Sequence, residues 1–140
     1  MTKNSILVDA NFLYALSDIG DKYHSDAVNF ARNNKQKQVV PDVVLTEVTY
    51  LLNKHVGHHA VLRFLKLFVI SNIEMESLTK SDIQRAYEIM EKYSSARLDF
   101  VDCCIVALAE RLNITQICTF DRRDFSIIRP AHCDTLELLP

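Results

Sequence analysis

The chain has 140 residues, of which 49% are hydrophobic, so it is the size of one ordinary domain and can bury a core without disulfides or structural metals. Lysine and arginine number 16 against 18 aspartates and glutamates, and the formal charge of −2 excludes a general electrostatic attraction to nucleic acid or membranes. No window approaches the roughly 18 uninterrupted apolar residues of a membrane span, and the first apolar stretch is too short for a signal peptide.

The first elements predicted along the chain are a strand and two helices. Residues 6–8 form a short apolar run that ends at Asp9, which is typical of a buried strand. Residues 10–16 have the apolar spacing of a helix, and a second helix is expected over residues 22–33. The chain therefore begins as a strand followed by helices.

A second strand and a pair of helices are predicted next. Residues 38–40 indicate a short strand, and Asp42 is a suitable cap for a helix with apolar residues from 43 to 52. After a break near Gly57, apolar spacing predicts another helix over residues 61–68. We expect these two helices to pack as an antiparallel pair.

The second half of the chain continues to alternate between strands and helices. The predicted elements are a strand at 73–78, a helix from Thr79 or Ser81 to about residue 93, a helix at 99–113, and strands at 116–120 and 135–139. This alternation implies βαβ crossovers and a mostly parallel sheet covered on both faces. We therefore predict one α/β domain over residues 1–140, a three-layer α/β/α sandwich with about five strands.

Two aspartates follow predicted strands directly. Asp9 follows the first strand and Asp121 follows the strand at 116–120. In open α/β sheets, ligands bind in the crevice outside the carboxyl ends of the strands, so both carboxylates are expected in one crevice. Each of them, taken alone, is equally explained as a turn residue that closes a strand.

Three further acids are placed by helices. Glu47 is the only charged residue between Val43 and Lys54, and a lone acid on such a helix needs a partner. Asp99 and Asp102 share a face at the start of the next acidic helix, opposite its apolar side. Helix caps and first turns favour aspartate, so capping is the ordinary explanation for this pair.

The acids point to a metal site when they are considered together. Carboxylates about 4 Å apart repel by roughly 4 kcal/mol per pair at an effective dielectric constant near 20, so a cluster of four calls for a cation. Oxygen ligands without clustered histidine or cysteine suit Mg²⁺ or Mn²⁺. One or two such ions can hold a scissile phosphate and activate water, without a protein nucleophile.

Four blocks of sequence, in this order and spacing, resemble the PIN-domain nucleases and, within them, the VapC-type toxins of bacterial and archaeal toxin–antitoxin pairs. The blocks are ILVDAN at 6–11, VLTEV at 44–48, LDFVDCCIVALA at 98–109 and TFDRRDF at 119–125. The segments at 128–130 and 138–140 are similar to the tail of many VapC-type chains. The resemblance covers nearly the whole chain.

The resemblance implies an enzyme that cleaves single-stranded or structured RNA endonucleolytically with Mg²⁺ or Mn²⁺. It also implies a small antitoxin protein as inhibitor and a homodimer as the assembly. Catalytic and metal-site roles are implied for Asp9, Glu47, Asp102 and Asp121, supporting polar roles for Asn11 and Thr119, and an auxiliary acidic role for Asp99 or Asp124.

Three arginines, Arg97, Arg122 and Arg123, flank the acidic blocks. A guanidinium group matches the geometry of phosphate, so these residues are candidates to hold RNA phosphates beside the metal. They are equally explained as solvated charges that balance nearby acids.

Two other functions remain open on the sequence. A housekeeping PIN nuclease of RNA maturation would have the same site and no antitoxin, and a neighbouring reading frame for a short partner would distinguish the two. A non-catalytic α/β interaction module would use the acids to cap helices or to bind a regulatory ion, and it would cut no RNA in Mn²⁺.

The remaining residues with site chemistry are expected to be structural or solvated. The cysteines are Cys103, Cys104, Cys118 and Cys133, which form no C-x-x-C pair, and we expect reduced core residues of a cytoplasmic protein. The clustered histidines are His55, His58 and His59, and we expect them at solvated helix ends. The helices between residues 43 and 71 carry more apolar residues than one stripe needs, which indicates a dimer interface or antitoxin groove.

Overall fold

Five short strands form one parallel sheet in the computed structural model, which describes residues 4–140. They are β1 Ser5–Val8, β2 Lys37–Pro41, β3 Glu74–Glu76, β4 Gln116–Cys118 and β5 Glu137–Leu139. The spatial order is β3-β2-β1-β4-β5, and each neighbouring pair is parallel. The chain extends from β1 first toward β3 and later toward β5, so its direction reverses between β1 and β4, where open α/β sheets bind ligands.

Seven helices of the described residues flank this sheet. They are α1 Ala10–Ser17, α2 His24–Asn33, α3 Asp42–His55, α4 His58–Ile70, α5 Lys80–Lys92, α6 Phe100–Leu112 and α7 Arg123–Ile127. A short 3₁₀ turn, Ser94–Ala96, lies before α6. Within residues 4–140, no helix has both the length and the apolar character needed to cross a membrane.

The core is centred on β1 and α6. All four residues of β1 are buried, and successive strand residues point to opposite faces, so both faces of the sheet are covered. Residues 102–109 of α6 are buried without interruption. The α/β sandwich with a parallel five-stranded sheet is therefore confirmed. Helix α6 is therefore enclosed on every side from Asp102 to Ala109, whereas Phe100 at its start is 41% exposed.

Local signals place most helix ends. Thr79 begins α5 through a capping box: its hydroxyl accepts from the Asp82 amide at 3.1 Å, and the Asp82 carboxylate accepts from the Thr79 amide at 2.9 Å. Gly57 separates α3 from α4 with a positive φ of 136°, a conformation that favours glycine. The predicted cap at Asp42 is wrong, since Pro41 at the extended end of β2 occupies that position.

Other boundaries differ where side chains bond to nearby backbone. Helix α2 begins later than predicted, at His24, because the Asp21 carboxylate accepts from a backbone amide and holds a turn ahead of it. Strand β4 ends at Cys118, because the Thr119 hydroxyl accepts from the Asp121 amide and turns the chain. Strands β3 and β5 are shorter than predicted because each is paired on one side only. Helix α7 was not predicted.

The cysteines and the clustered histidines lie where the sequence indicates. All four cysteines are free thiols, and the three in α6 and β4 are buried. The three histidines are exposed at the end of α3 and the start of α4. Neither set contributes to the site described next.

Candidate active site

The carboxyl ends of β1 and β4 open into a cleft of about 350 Å³, hereafter the acidic cleft. Asp9 follows β1 directly, and Asp121 lies in the loop between β4 and α7. Glu47 comes from the second turn of α3, and Asp102 from the first turn of α6. Four separate segments of chain thus bring the four predicted acids to one cleft.

Most of the other predicted residues join them. Those that also line the acidic cleft are Asn11, Arg97, Asp99, Arg123 and Asp124. Thr119 is fully buried behind Asp9, and Arg122 lies outside the cleft because its guanidinium donates to the Pro140 carbonyl at 2.7 Å. The placement of Arg122 beside the acids is therefore wrong. Leu51 lines the cleft unpredicted, although it is four residues from Glu47 and so on the same face of α3.

Asp9 is held in one orientation by polar groups from two segments. One carboxylate oxygen accepts from the Ala10 amide at 2.7 Å. The other accepts from the Thr119 hydroxyl at 2.9 Å and from the Asn11 side-chain amide at 3.3 Å. The Asn11 carbonyl oxygen in turn accepts from the Phe120 amide at 2.9 Å. These bonds tie the start of α1 to the loop after β4 and fix where the Asp9 carboxylate points.

Asp99 caps the N-terminus of α6, and the side chain of Asp102 in the first turn lines the acidic cleft. The Asp99 carboxylate accepts from the amides of Val101 and Asp102 at 3.0 and 3.3 Å, so the ordinary capping explanation holds for it. The Asp124 carboxylate accepts from the Asp99 amide at 2.9 Å and pairs with Arg123 at 2.6 Å. Asp124 thus braces the start of the helix that carries Asp102.

Burial and neighbouring acids disfavour the ionised form of two carboxyl groups in the cleft, those of Asp9 and Glu47. Burial raises the pKa of Asp9 from 3.8 to about 6, and the negative charges of Asp121 and Asp99 add to this against the hydrogen bonds from Thr119 and Ala10. Burial also raises the pKa of Glu47, followed by repulsion from Asp9, Asp99 and Asp121. Asp9 and Glu47 are therefore less easily ionised, first because they are buried and second because other acids are near.

The neighbouring carboxyl groups of Asp102 and Asp124 have pKa values shifted in opposite directions. Burial, repulsion from Asp9 and a hydrogen bond with Asp124 hold the pKa of Asp102 well above its ordinary range. Burial opposes ionisation of Asp124 as well, yet the Asp99 amide, Asp102 and Arg123 together lower its pKa. The pKa values of the two carboxyl groups are thus shifted in opposite directions, and Asp124 is the more easily ionised of the pair.

The donor set of the cleft fits a divalent cation. Within residues 4–140, no group of three or more histidine, cysteine, aspartate or glutamate side chains is already drawn close enough to hold a metal ion. The donors are oxygens, which suits a hard ion such as Mg²⁺ or Mn²⁺. The residues of the cleft that could hold it are Asp9, Glu47, Asp102 and Asp121.

Comparison with known families agrees with this arrangement. The family model described as PIN domain matches residues 6–129, which is most of the chain and includes every segment that lines the acidic cleft. The protein belongs to the PIN-domain family.

Its relatives within the family are VapC proteins. The chain is 28% identical over 135 residues to Ribonuclease VapC26 of Mycobacterium tuberculosis, covering 96% of this chain and all of VapC26. It is 27% identical over 121 residues to the 23S rRNA-specific endonuclease VapC20 of the same organism, covering 86% of this chain and 92% of VapC20.

Solved structures share the fold. The crystal structure of M. tuberculosis VapC20, described as a Sarcin-Ricin loop cleaving toxin, aligns with a TM-score of 0.81 at 25% identity, covering 91% of this chain and 98% of that one. VapBC2 from Rickettsia felis, solved bound to a DNA fragment from its promoter, aligns with a TM-score of 0.67 at 18% identity, covering 96% of both chains.

Proposed function

We propose that this protein is a divalent-metal-dependent endoribonuclease, acting as the cytoplasmic toxin of a VapBC-type toxin–antitoxin pair. The observation that carries the proposal is the acidic cleft: four acids from four segments line one hollow at the sheet position where α/β proteins bind ligands. Membership of the PIN family and full-length similarity to Ribonuclease VapC26 support the same conclusion.

Mg²⁺ or Mn²⁺ is the proposed cofactor, with Asp9, Glu47, Asp102 and Asp121 as its ligands. When bound, such an ion supplies Lewis-acid activation of water and of the scissile phosphate. Asn11 and Thr119 orient the Asp9 carboxylate through their hydrogen bonds.

The arginines and the auxiliary acids complete the proposed site. Arg97 is exposed at the rim of the acidic cleft and is free to meet a phosphate of the bound strand. The Arg123 guanidinium donates to the Asp124 carboxylate and to the Ala96 carbonyl, and these bonds fix its position beside the proposed RNA strand. Asp99 and Asp124 act indirectly, because they hold the first turn of α6 and with it Asp102.

Single-stranded or looped RNA is the proposed substrate, in line with the rRNA loop named for VapC20. The proposed partners are a small antitoxin and a second copy of the chain. An apolar groove of about 580 Å³ between α1 and α4 offers a surface for a protein partner, and Val69 and Ile70 at the end of α4 are 79% and 76% exposed.

Cleavage by matched aspartate variants tests the proposal. Purified wild type should cut a looped RNA in Mn²⁺ and not in EDTA, and Asp9→Asn and Asp102→Asn should each reduce the rate by at least about 100-fold without loss of secondary structure by circular dichroism. Asp134→Asn, which changes an exposed aspartate outside the cleft, should cut as wild type. Equal cleavage by all four proteins, or none by any, would contradict the proposal.

A further inference from the structure

Three aromatic rings form a stack that leads from the core to the surface beside the acidic cleft. The buried Phe12 ring lies 5.9 Å from the Phe120 ring at an interplanar angle of 20°. The Phe120 ring lies 4.4 Å from the Tyr23 ring at 5°. Phe120 covers one face of Tyr23, so the Lys22 ammonium, 5.0 Å from the centroid, lies over the other. The outer face of the Tyr23 ring is thus covered by the flexible side chain of Lys22.

The stack stands between two hollows. One, of about 300 Å³, is lined by Tyr23, Phe120 and Lys22 and shares Asn11 and Asp121 with the acidic cleft. The other, of about 640 Å³, is lined by the same two rings, by Asp26, Asn29 and Asn33 of α2, and by Arg122. The acidic cleft and the two hollows share lining residues and so form one continuous path, and an RNA strand that follows this path passes over the Tyr23 ring.

The loop that carries Tyr23 is fixed before any ligand binds. The carboxylates of Asp18 and Asp21 accept from the amides of Gly20 and Tyr23, both at 3.0 Å. The imidazole Nδ1 of His24 lies 2.7 Å from the Ala15 carbonyl and joins the loop to α1. A platform held in this way loses little conformational entropy on binding.

The chemistry of the path suits single-stranded RNA. Proteins bind such strands by stacking bases on aromatic rings and by placing cations along the backbone. Lys22 and Arg122 are the cations that line the two hollows, where Asp21 and Asp26 also lie, so the aromatic faces and these two cations are the groups that suit a nucleic-acid strand. Arg122, which does not line the acidic cleft, borders this path.

We propose that Tyr23, backed by Phe120, is the stacking platform for an RNA base next to the scissile phosphate, with Lys22 moving from the ring to the RNA backbone as the base arrives. This proposal rests on the proposed ribonuclease function and names one of its substrate subsites. Tyr23 is thereby a positioning residue, since it places the strand across the acidic cleft and takes no part in the chemistry.

A fluorescence measurement tests the platform directly, because the chain has no tryptophan. Tyr23→Trp as the only substitution provides a single indole at the platform and leaves the acids of the cleft intact. A ten-nucleotide oligoadenylate with Mg²⁺, mixed with this variant and read by stopped flow before it is cleaved, should quench the indole emission, whereas an abasic ribose-phosphate strand of equal length and charge should not. Equal quenching by both strands, or no change on binding of oligoadenylate, would overturn the proposal.

Affinity and kinetics supply the second arm of the test. Tyr23→Ala should weaken binding of labelled oligoadenylate by about 5- to 150-fold and raise KM more than it lowers kcat, whereas Tyr23→Phe should bind within about twofold of wild type. Tyr87→Ala, which removes an exposed tyrosine from α5, is the matched control and should bind as wild type.

The fluorescence and the kinetic measurements distinguish a failure of the Tyr23 platform from a failure of the proposed ribonuclease function. If wild type cuts RNA and Tyr23→Ala matches Tyr23→Phe in affinity and KM, the platform is wrong and the nuclease stands. If neither wild type nor any variant cuts RNA in Mn²⁺, the ribonuclease proposal fails, and the quenching measurement still decides whether Tyr23 stacks on a base.

Discussion

The Thr119 hydroxyl donates to Asp9 and accepts from the Asp121 amide, so one buried group joins two acids of the cleft. This position explains why a threonine follows β4: a hydroxyl can donate on one side and accept on the other. Residues that orient metal ligands in this way usually affect activity almost as strongly as the ligands. Thr119 is therefore an informative residue to change.

Thr119→Val should lower kcat/KM in Mn²⁺ by about 10- to 100-fold, because Asp9 loses the hydrogen bond that orients it. The same bond lowers the pKa of Asp9, so its loss should also move the acid limb of the pH–rate profile to higher pH. Steady-state kinetics from about pH 5 to about pH 8 would measure both effects. Thr119→Ser keeps the hydroxyl and should retain the wild-type profile, and a valine variant with that same profile would contradict this role.

The raised pKa of Asp9 makes a prediction for the metal-free protein. Between 3.8 and about 6 the folded protein holds a proton that the unfolded chain has released, so stability falls as pH rises through this window. From about pH 5 to about pH 7 we expect Asp9 alone to contribute a loss of about 1–2 kcal/mol, and Asp9→Asn at the upper pH should stabilise the fold by up to about 3 kcal/mol.

Urea denaturation in EDTA at several pH values would measure this loss. The raised pKa values of Glu47 and Asp102 act in the same direction, so the Asp9→Asn protein should retain part of the slope. Asp134→Asn should keep the whole of it. A wild-type free energy of unfolding that stays level or rises from about pH 5 to about pH 7 would contradict the raised pKa of Asp9.

At the scale of elements, the position of Asp102 depends on the packing of α5 against α6. Asp82 is 3% exposed and acts twice: it completes the capping box of α5 and accepts from Arg111 of α6 at 3.0 Å through both side-chain oxygens. A second pair, Arg85 with Glu110, joins the same helices at 2.7 Å. These contacts hold the helix that supplies one of the four acids.

Asp82→Ala should destabilise the protein by about 2–3 kcal/mol, since it removes a helix cap and leaves Arg111 without its most buried partner. The free energy of unfolding from urea titration would measure this loss. Glu88→Ala removes an exposed partner of Arg85 on the same helix and should cost no more than about 0.5 kcal/mol. Similar losses for the two variants would show that the buried pair does not carry the packing of α5 on α6.

The whole molecule places an acidic cleft in a chain that is already acidic, so the protein repels its proposed substrate unless a cation intervenes. A divalent ion should therefore bind the folded protein selectively. At a concentration 100 times its Kd it should stabilise the fold by about 2.7 kcal/mol, seen as a rise of several degrees in Tm. This shift should be lost in Asp9→Asn and kept in Asp134→Asn, and a shift of equal size in both would place the ion elsewhere.

Much of the fold and of the candidate site could be predicted from local patterns. An apolar run of three residues marked β1, two valines before Pro41 marked β2, and Thr79 or Ser81 was expected to begin α5, because strand burial and helix capping depend on residues close in sequence. Asp9 and Asp121 could be placed at one edge because parallel strands end at the same edge. Glu47 and Asp102 were added because four carboxylates together call for a cation, and the resemblance to PIN nucleases implied the same set.

The sequence by itself determined the alternation of strands and helices, the parallel sheet and the acids at its edge, since each follows from periodicity or adjacency along the chain. Only the tertiary structure decided that β1 lies between β2 and β4, which brings Tyr23 onto Phe120, turns Arg122 toward Pro140 and encloses Asp102 beside Asp124. These contacts join residues from distant segments, and their geometry depends on how whole elements pack, which no local pattern contains.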